Sequence, residues 1–191
     1  MHAIFPTYFQ LGIQHIADVQ AYDHIVFLMA LCATYPISAW RKIAVLVTAF
    51  TIGHCITLVL AALHIITPWY ALIEKLIPMT IMCTAILNCY RIANEKNYKR
   101  NLPTYILALC FGFIHGMGFS NFFRQLEPEG KNIVEQLFAF NVGIEAGQLI
   151  IVSSILMISF LLTKFLKIKQ SAWVYFVSGA AFGIALTLLI K

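Results

Sequence analysis

The stretch LGIQHIADVQAYDHIVFLMAL, Leu11 to Leu31, decides the fold. It is long and apolar enough to span a bilayer, which takes about 20 residues. Yet it carries His15, Asp18, Asp23 and His24. An aspartate at the centre of a spanning helix costs roughly 2.5–3.5 kcal/mol to insert, so such groups face a bundle interior and have a task there. Three further predicted helices bring His54, His115 and Glu145 to a similar depth. The expectation is an all-α, integral membrane bundle in which these groups converge on one buried metal site.

The rest of the chain agrees with a membrane class. It has 191 residues, 61% hydrophobic and 11% charged, with a mean hydropathy of +0.83. A soluble domain is about 25% charged. No stretch is polar enough for a second domain, so residues 1–191 are expected to form one transmembrane unit. The net charge of +5 does not point to nucleic acid, because the cations sit in short loops between apolar runs, where they act as topology signals. The five cysteines (Cys32, Cys55, Cys83, Cys89, Cys110) fall inside apolar runs without a CxxC pair and read as buried small hydrophobes. MHAIFPTYFQ lacks the basic and small-residue marks of a removable signal peptide.

Six spans are predicted, over about 8–34, 43–66, 70–90, 102–119, 133–162 and 172–190. Pro78 should kink the third, and SNFFRQL after the fourth reads as an interfacial connection. Loops on one side hold Arg41, Lys42, Arg91, Lys96, Lys99, Arg100, Lys164, Lys167 and Lys169. The other side holds Lys75, Arg124, Lys131 and Lys191. The positive-inside rule then puts both termini outside the cytoplasm. With a rise of ~1.5 Å per residue, His15 falls ~10 Å below the outer surface, His24 ~24 Å, His54 ~18 Å, His115 ~6 Å and Glu145 ~18 Å. All lie between the outer face and a little past the midplane. The inner half looks nearly devoid of polar groups, so no exit path for an ion is visible.

Spacing refines the site and poses a conflict. His15 and Asp18 share a helix face. His24 lies about 180° from His15 on a regular helix, so both cannot hold one ion unless the chain unwinds around Val19–Ala21, as broken helices do at midplane ion sites. The alternative is that His24 bonds a neighbouring helix. On the second helix Thr51 is placed to hold the His54 imidazole. On the fourth, Gly112, Gly116 and Gly118 surround His115 and permit close packing. On the fifth, Asn141, Glu145 and Gln148 share a face. No Lys or Arg reaches the depth of Glu145, which leaves metal ligation, direct or through a neighbour, as the preferred reading. Imidazole with carboxylate suits Ni, Co, Zn, Cu or Fe in the divalent state. The primary ligand set is therefore His15, Asp23, His24, His54, His115 and Glu145, supported by Asp18, Thr51, Asn141 and Gln148. His64 reads as an exposed interface residue, and His2 with the amino terminus as a weak chelate for Ni or Cu.

Four blocks in order, GIQHIADVQAYDHIVFLMAL, TAFTIGHCITLVLAAL, FGFIHGMGFS and FNVGIEAGQL, give the chain a resemblance to the HupE/UreJ family of small bacterial membrane proteins. Two also resemble elements of the wider nickel/cobalt transporters: a His followed by Asp-His, here His15 then Asp23-His24 at longer spacing, and a Gly-His pair, here Gly53-His54. The resemblance implies a multi-pass permease of the bacterial inner membrane for nickel or cobalt, with His15, Asp23, His24, His54 and His115 handling the ion, Glu145 and Gln148 nearby, and a homo-oligomer or metalloenzyme-maturation proteins as partners. Two other functions fit the residues. One is an intramembrane zinc hydrolase of lipid-linked substrates, with Glu145 or Asp23 as general base. The other is a metal sensor or accessory subunit.

Overall fold

The computed structural model describes residues 4–94, 102–126 and 133–190. His2 and the loop cations Lys96, Lys99, Arg100, Lys131 and Lys191 lie outside them. The described chain is helical throughout: α1 (Ile4–Ile16), α2 (Asp23–Cys32), a short 3-10 turn (Ile37–Ala39), α3 (Trp40–Ala62), α4 (Tyr70–Ala93), α5 (Leu102–Leu126), α6 (Ile133–Lys164) and α7 (Gln170–Ile190).

The expected single helix over 8–34 is instead two helices separated by Ala17–Tyr22. No Gly or Pro causes the break. The Asp18 carboxylate accepts the Gln20 backbone N–H at 2.8 Å, one of the local side-chain bonds that compete with a helical ladder. Asp23 then opens α2, where a negative side chain suits the helix N-terminus.

Of the boundaries that also differ from expectation, two have a clear local cause. α3 stops at Ala62 because His64 takes a left-handed φ of 58°. There Ile65 N–H bonds Leu60 O at 2.9 Å and His64 N–H bonds Ala61 O at 3.1 Å, the pairing of a Schellman terminus. α5 continues through SNFFRQL to Leu126, since no helix breaker precedes Pro128. That extension sinks His115 to about 16 Å from the helix end, deeper than the shorter helix implied. Pro78 sits within an uninterrupted α4.

Glycine sets the closest helix contacts. α3 lies against α5 and α1 against α6 more extensively than any other pair. A methyl group on Gly53 would strike the Leu109 carbonyl, and one on Gly112 the Phe50 carbonyl. Gly12 meets Phe140 and Gly143 meets Phe9 in the same reciprocal way. Small residues let backbones touch where apolar burial gives no driving force between helices in lipid. α4 packs on α7, and α2 is wedged among α4, α6 and α7.

Phe27, Leu28, Leu46, Phe50 and Ile81 fill the main core, and Ile16, Leu58, Phe140 and Ile144 a second. Outward faces are apolar too: Val45, Ile52, Ile150 and Phe176 are all exposed. Ile37–Ala62, α4, α6 and α7 are each long and apolar enough to cross a membrane. This is the architecture of a multi-pass membrane protein.

Candidate metal centre

The break between α1 and α2 makes the centre possible. It brings His15, at the C-terminal end of α1, beside Asp23 and His24, at the N-terminal end of α2. The imidazoles of His15 and His24, on opposite sides of an ideal helix, stand 4.8 Å apart between ring centroids. α3 adds His54, 6.0 Å from His15 and 6.3 Å from His24. α5 adds His115, 5.2 Å from His24.

Potential ligand atoms form two groups sharing His24: His15, His24 and His54, and Asp23, His24 and His115. Within each group the atoms lie within 4.8 Å of one another. Each pair of helix contacts delivers one part. Gly53 lies next to His54 and meets α5, while Gly112 and Gly116 flank His115 and meet α3, so the two histidines ride on the most extensive helix seam.

The donor set suits a cation. His54 is fully buried, His115 is 1% exposed and His24 5%. His15 Nε2, His24 Nε2, both nitrogens of His54 and His115 Nδ1 are buried without a hydrogen-bond partner. Burying one such group unsatisfied costs about 1–3 kcal/mol, and several at one point is the pattern expected of ligands. Asp23 Oδ1 stands 3.1 Å from His24 Nδ1, an ion-pair distance without hydrogen-bond alignment.

Thr80 of α4 fixes His115. Its hydroxyl donates to Ile77 O at 2.7 Å, so at 3.3 Å it can only accept from His115 Nε2. That assigns the proton to Nε2 and leaves the Nδ1 lone pair bare. Orienting the far nitrogen of a ligating imidazole in this way is the usual work of a neighbour to a metal ligand. An aromatic wall keeps the place dry: His15 lies 3.8 Å from Phe119, Phe119 stacks on Phe140 at 4.9 Å, and His115 packs on Phe50 and Phe27.

A family model described as HupE / UreJ protein matches residues 1–190. The chain belongs to the HupE/UreJ family. Comparison with curated proteins and with solved structures finds no match.

Not all residues singled out in this HupE/UreJ sequence join the cluster. Glu145 lies in neither ligand group. It accepts from Thr48 at 2.6 Å and from Thr51, on the seam between α3 and α6. Thr51, expected to hold His54, instead has Val47 O, Glu145 and Gln148 Oε1 around its hydroxyl. Asp18 is exposed and closes the turn of the break. Asn141 does approach the site. Its amide donates to Leu137 O at 2.7 Å, and its carboxamide faces His54 without meeting hydrogen-bond geometry. His64 is exposed, as expected.

An open cavity of about 210 Å³ adjoins the centre at Asp23, lined among others by Gln20, Tyr22, Asp23, Glu74 and Pro78. Asp23 thus belongs to both cavity and cluster, its side chain 21% exposed. Thr80 and Glu74 escaped the sequence reading. The signal for both was position on α4: Glu74 stands four residues before Pro78 and Thr80 two after it.

Proposed function

We propose that this HupE/UreJ protein is a permease for a divalent transition metal, nickel or cobalt, which binds as substrate at His15, Asp23, His24, His54 and His115. The observation that carries the reading is a buried, partnerless imidazole cluster with one carboxylate, reached from an open cavity lined by two acids, Asp23 and Glu74. A cation is drawn to the mouth by the carboxylates, exchanges water for Asp23, and passes to the imidazoles. Four neutral nitrogen donors and one oxygen favour borderline ions over hard ones such as Mg or Ca.

The chain is taken to cross the bacterial inner membrane six times, α1 and α2 together making the first crossing, with both termini and the cavity outside the cytoplasm. The excess of Lys and Arg in alternate loops supports that orientation.

The experiment is uptake into liposomes holding the purified protein without a His tag. Nickel or cobalt should accumulate inside, and His54→Ala and His115→Ala should abolish accumulation. Tight binding of zinc with no movement of any ion, and release of a cleaved lipid-linked substrate, would establish the hydrolase in its place.

A further inference from the structure

The inner half of the bundle is not as apolar as the sequence suggested. α4 carries Thr80, Thr84 and Asn88 at i, i+4 and i+8, all buried, followed by Arg91. At ~1.5 Å per residue this row runs ~16 Å, about half the hydrocarbon thickness. It starts at the metal centre, where Thr80 touches His115 at 3.3 Å. It ends at a cavity of about 20 Å³ enclosed by α2, α4 and α5, whose polar lining is Tyr35, Thr84, Asn88, Arg91 and Thr104. That volume holds about one water.

The groups along the row are arranged to offer oxygen. Thr84 gives its proton to Thr80 O at 2.9 Å, as Thr80 does to Ile77 O, so both hydroxyl oxygens present lone pairs and no hydrogen to the seam. Asn88 is pinned by its amide to Ala30 O at 2.7 Å, which ties the row to α2. At the inner end Arg91 donates to Thr104 Oγ1 at 3.1 Å and so bridges α4 to α5 across the cavity.

We propose that the seam between α2, α4 and α5 is the inner half of the ion path, with a second, transient cation station at Thr84 and Asn88 and the Arg91–Thr104 bridge as its closure. The ion hands over from His115 to the station one to two turns down, trading imidazole for weaker oxygen ligands that release it readily. Departure requires Arg91 to swing off Thr104, which opens the cavity and moves a positive charge out of the cation's way. This rests on the permease reading, and the test separates the two.

Liposomes loaded with an internal nickel indicator are made with wild type, Thr84→Val, Thr84→Ser and Thr104→Val, and nickel binding to each purified protein is measured in parallel. Valine matches threonine in shape and removes only the oxygen. The expected result is a Thr84→Val rate lower by about tenfold with binding unchanged, restoration by Thr84→Ser, and a faster rate or a passive leak in Thr104→Val. If wild type imports nickel and all three variants match it, the path lies elsewhere and the permease stands. If wild type binds nickel and moves none, both proposals fall. If Thr84→Val does not fold, equal rates in wild type, Thr84→Ser and Thr104→Val overturn the path on their own.

Discussion

Thr80 shows how one hydroxyl sets the donor face of a candidate ligand. Because its proton is committed to Ile77 O, it accepts from His115 Nε2 and leaves Nδ1, buried without a hydrogen-bond partner, as the nitrogen open to a cation. Thr80→Val removes that acceptor and frees the imidazole to take either tautomer. Neighbours of this kind are worth about 10–100-fold in metal affinity, so cobalt titration followed by visible absorption should show a loss of that size, restored by Thr80→Ser. Affinity unchanged in the valine variant would mean that the ring is held by packing against Phe27 and Phe50 alone. The two acids provide a second contrast. Asp23 touches His24 and faces the cavity, whereas Glu145 is engaged by Thr48 and Thr51. Asp23→Asn should weaken metal binding by about a hundredfold, or ~2.7 kcal/mol, while Glu145→Gln leaves it nearly unchanged. Equal losses from the two substitutions would return Glu145 to the ligand set.

Among the elements, the break between α1 and α2 and the glycine seam of α3 and α5 do the positioning. The break was legible as a contradiction: two histidines nine apart cannot share a side of a regular helix. The spacing argument placed any unwinding around Val19–Ala21, inside the observed Ala17–Tyr22, but its cause was not legible, because ADVQAY has neither Gly nor Pro and the Asp18–Gln20 bond is a weak local preference that only the surrounding packing can make decisive. The seam was easier to read, since Gly112 and Gly116 stand four apart around His115, but glycine spacing does not name the partner helix. Phe50 lies one turn before His54, so whatever displaces the Phe50 carbonyl displaces the ligand. Gly112→Ala puts a methyl against that carbonyl, and overpacking of this sort costs about 1–3 kcal/mol. Thermal unfolding in detergent should record the loss of stability together with weaker metal binding. A variant as stable as wild type would show that α5 can slide to make room.

On the scale of the whole molecule, counting along the chain says which residues belong to one level of the bundle but not which way they face. Rise per residue put His15, His24, His54, His115 and Glu145 in one slab of the bilayer, and four of the five do meet. Glu145 sits on another seam, because which side of α6 faces α1 is settled by Gly143 and Gly147 packing on that helix and not by any count along the chain. The same gap hid the cavity beside Asp23. Glu74 looked like a loop-proximal charge at the start of α4, and only the packing of α4 beside the break brings it to the cavity wall with Asp23. Being exposed and absent from both ligand groups, Glu74 should act on arrival and leave the centre itself intact. Carboxylates at a mouth raise the local cation concentration, and the effect fades with added salt. Glu74→Gln should therefore slow uptake severalfold at low metal concentration and low ionic strength, leave the maximal rate and the equilibrium affinity as they are, and lose its effect as salt is raised. A drop in the maximal rate that persists in high salt would make Glu74 part of the translocation step and move the outer limit of the site from Asp23 out to α4.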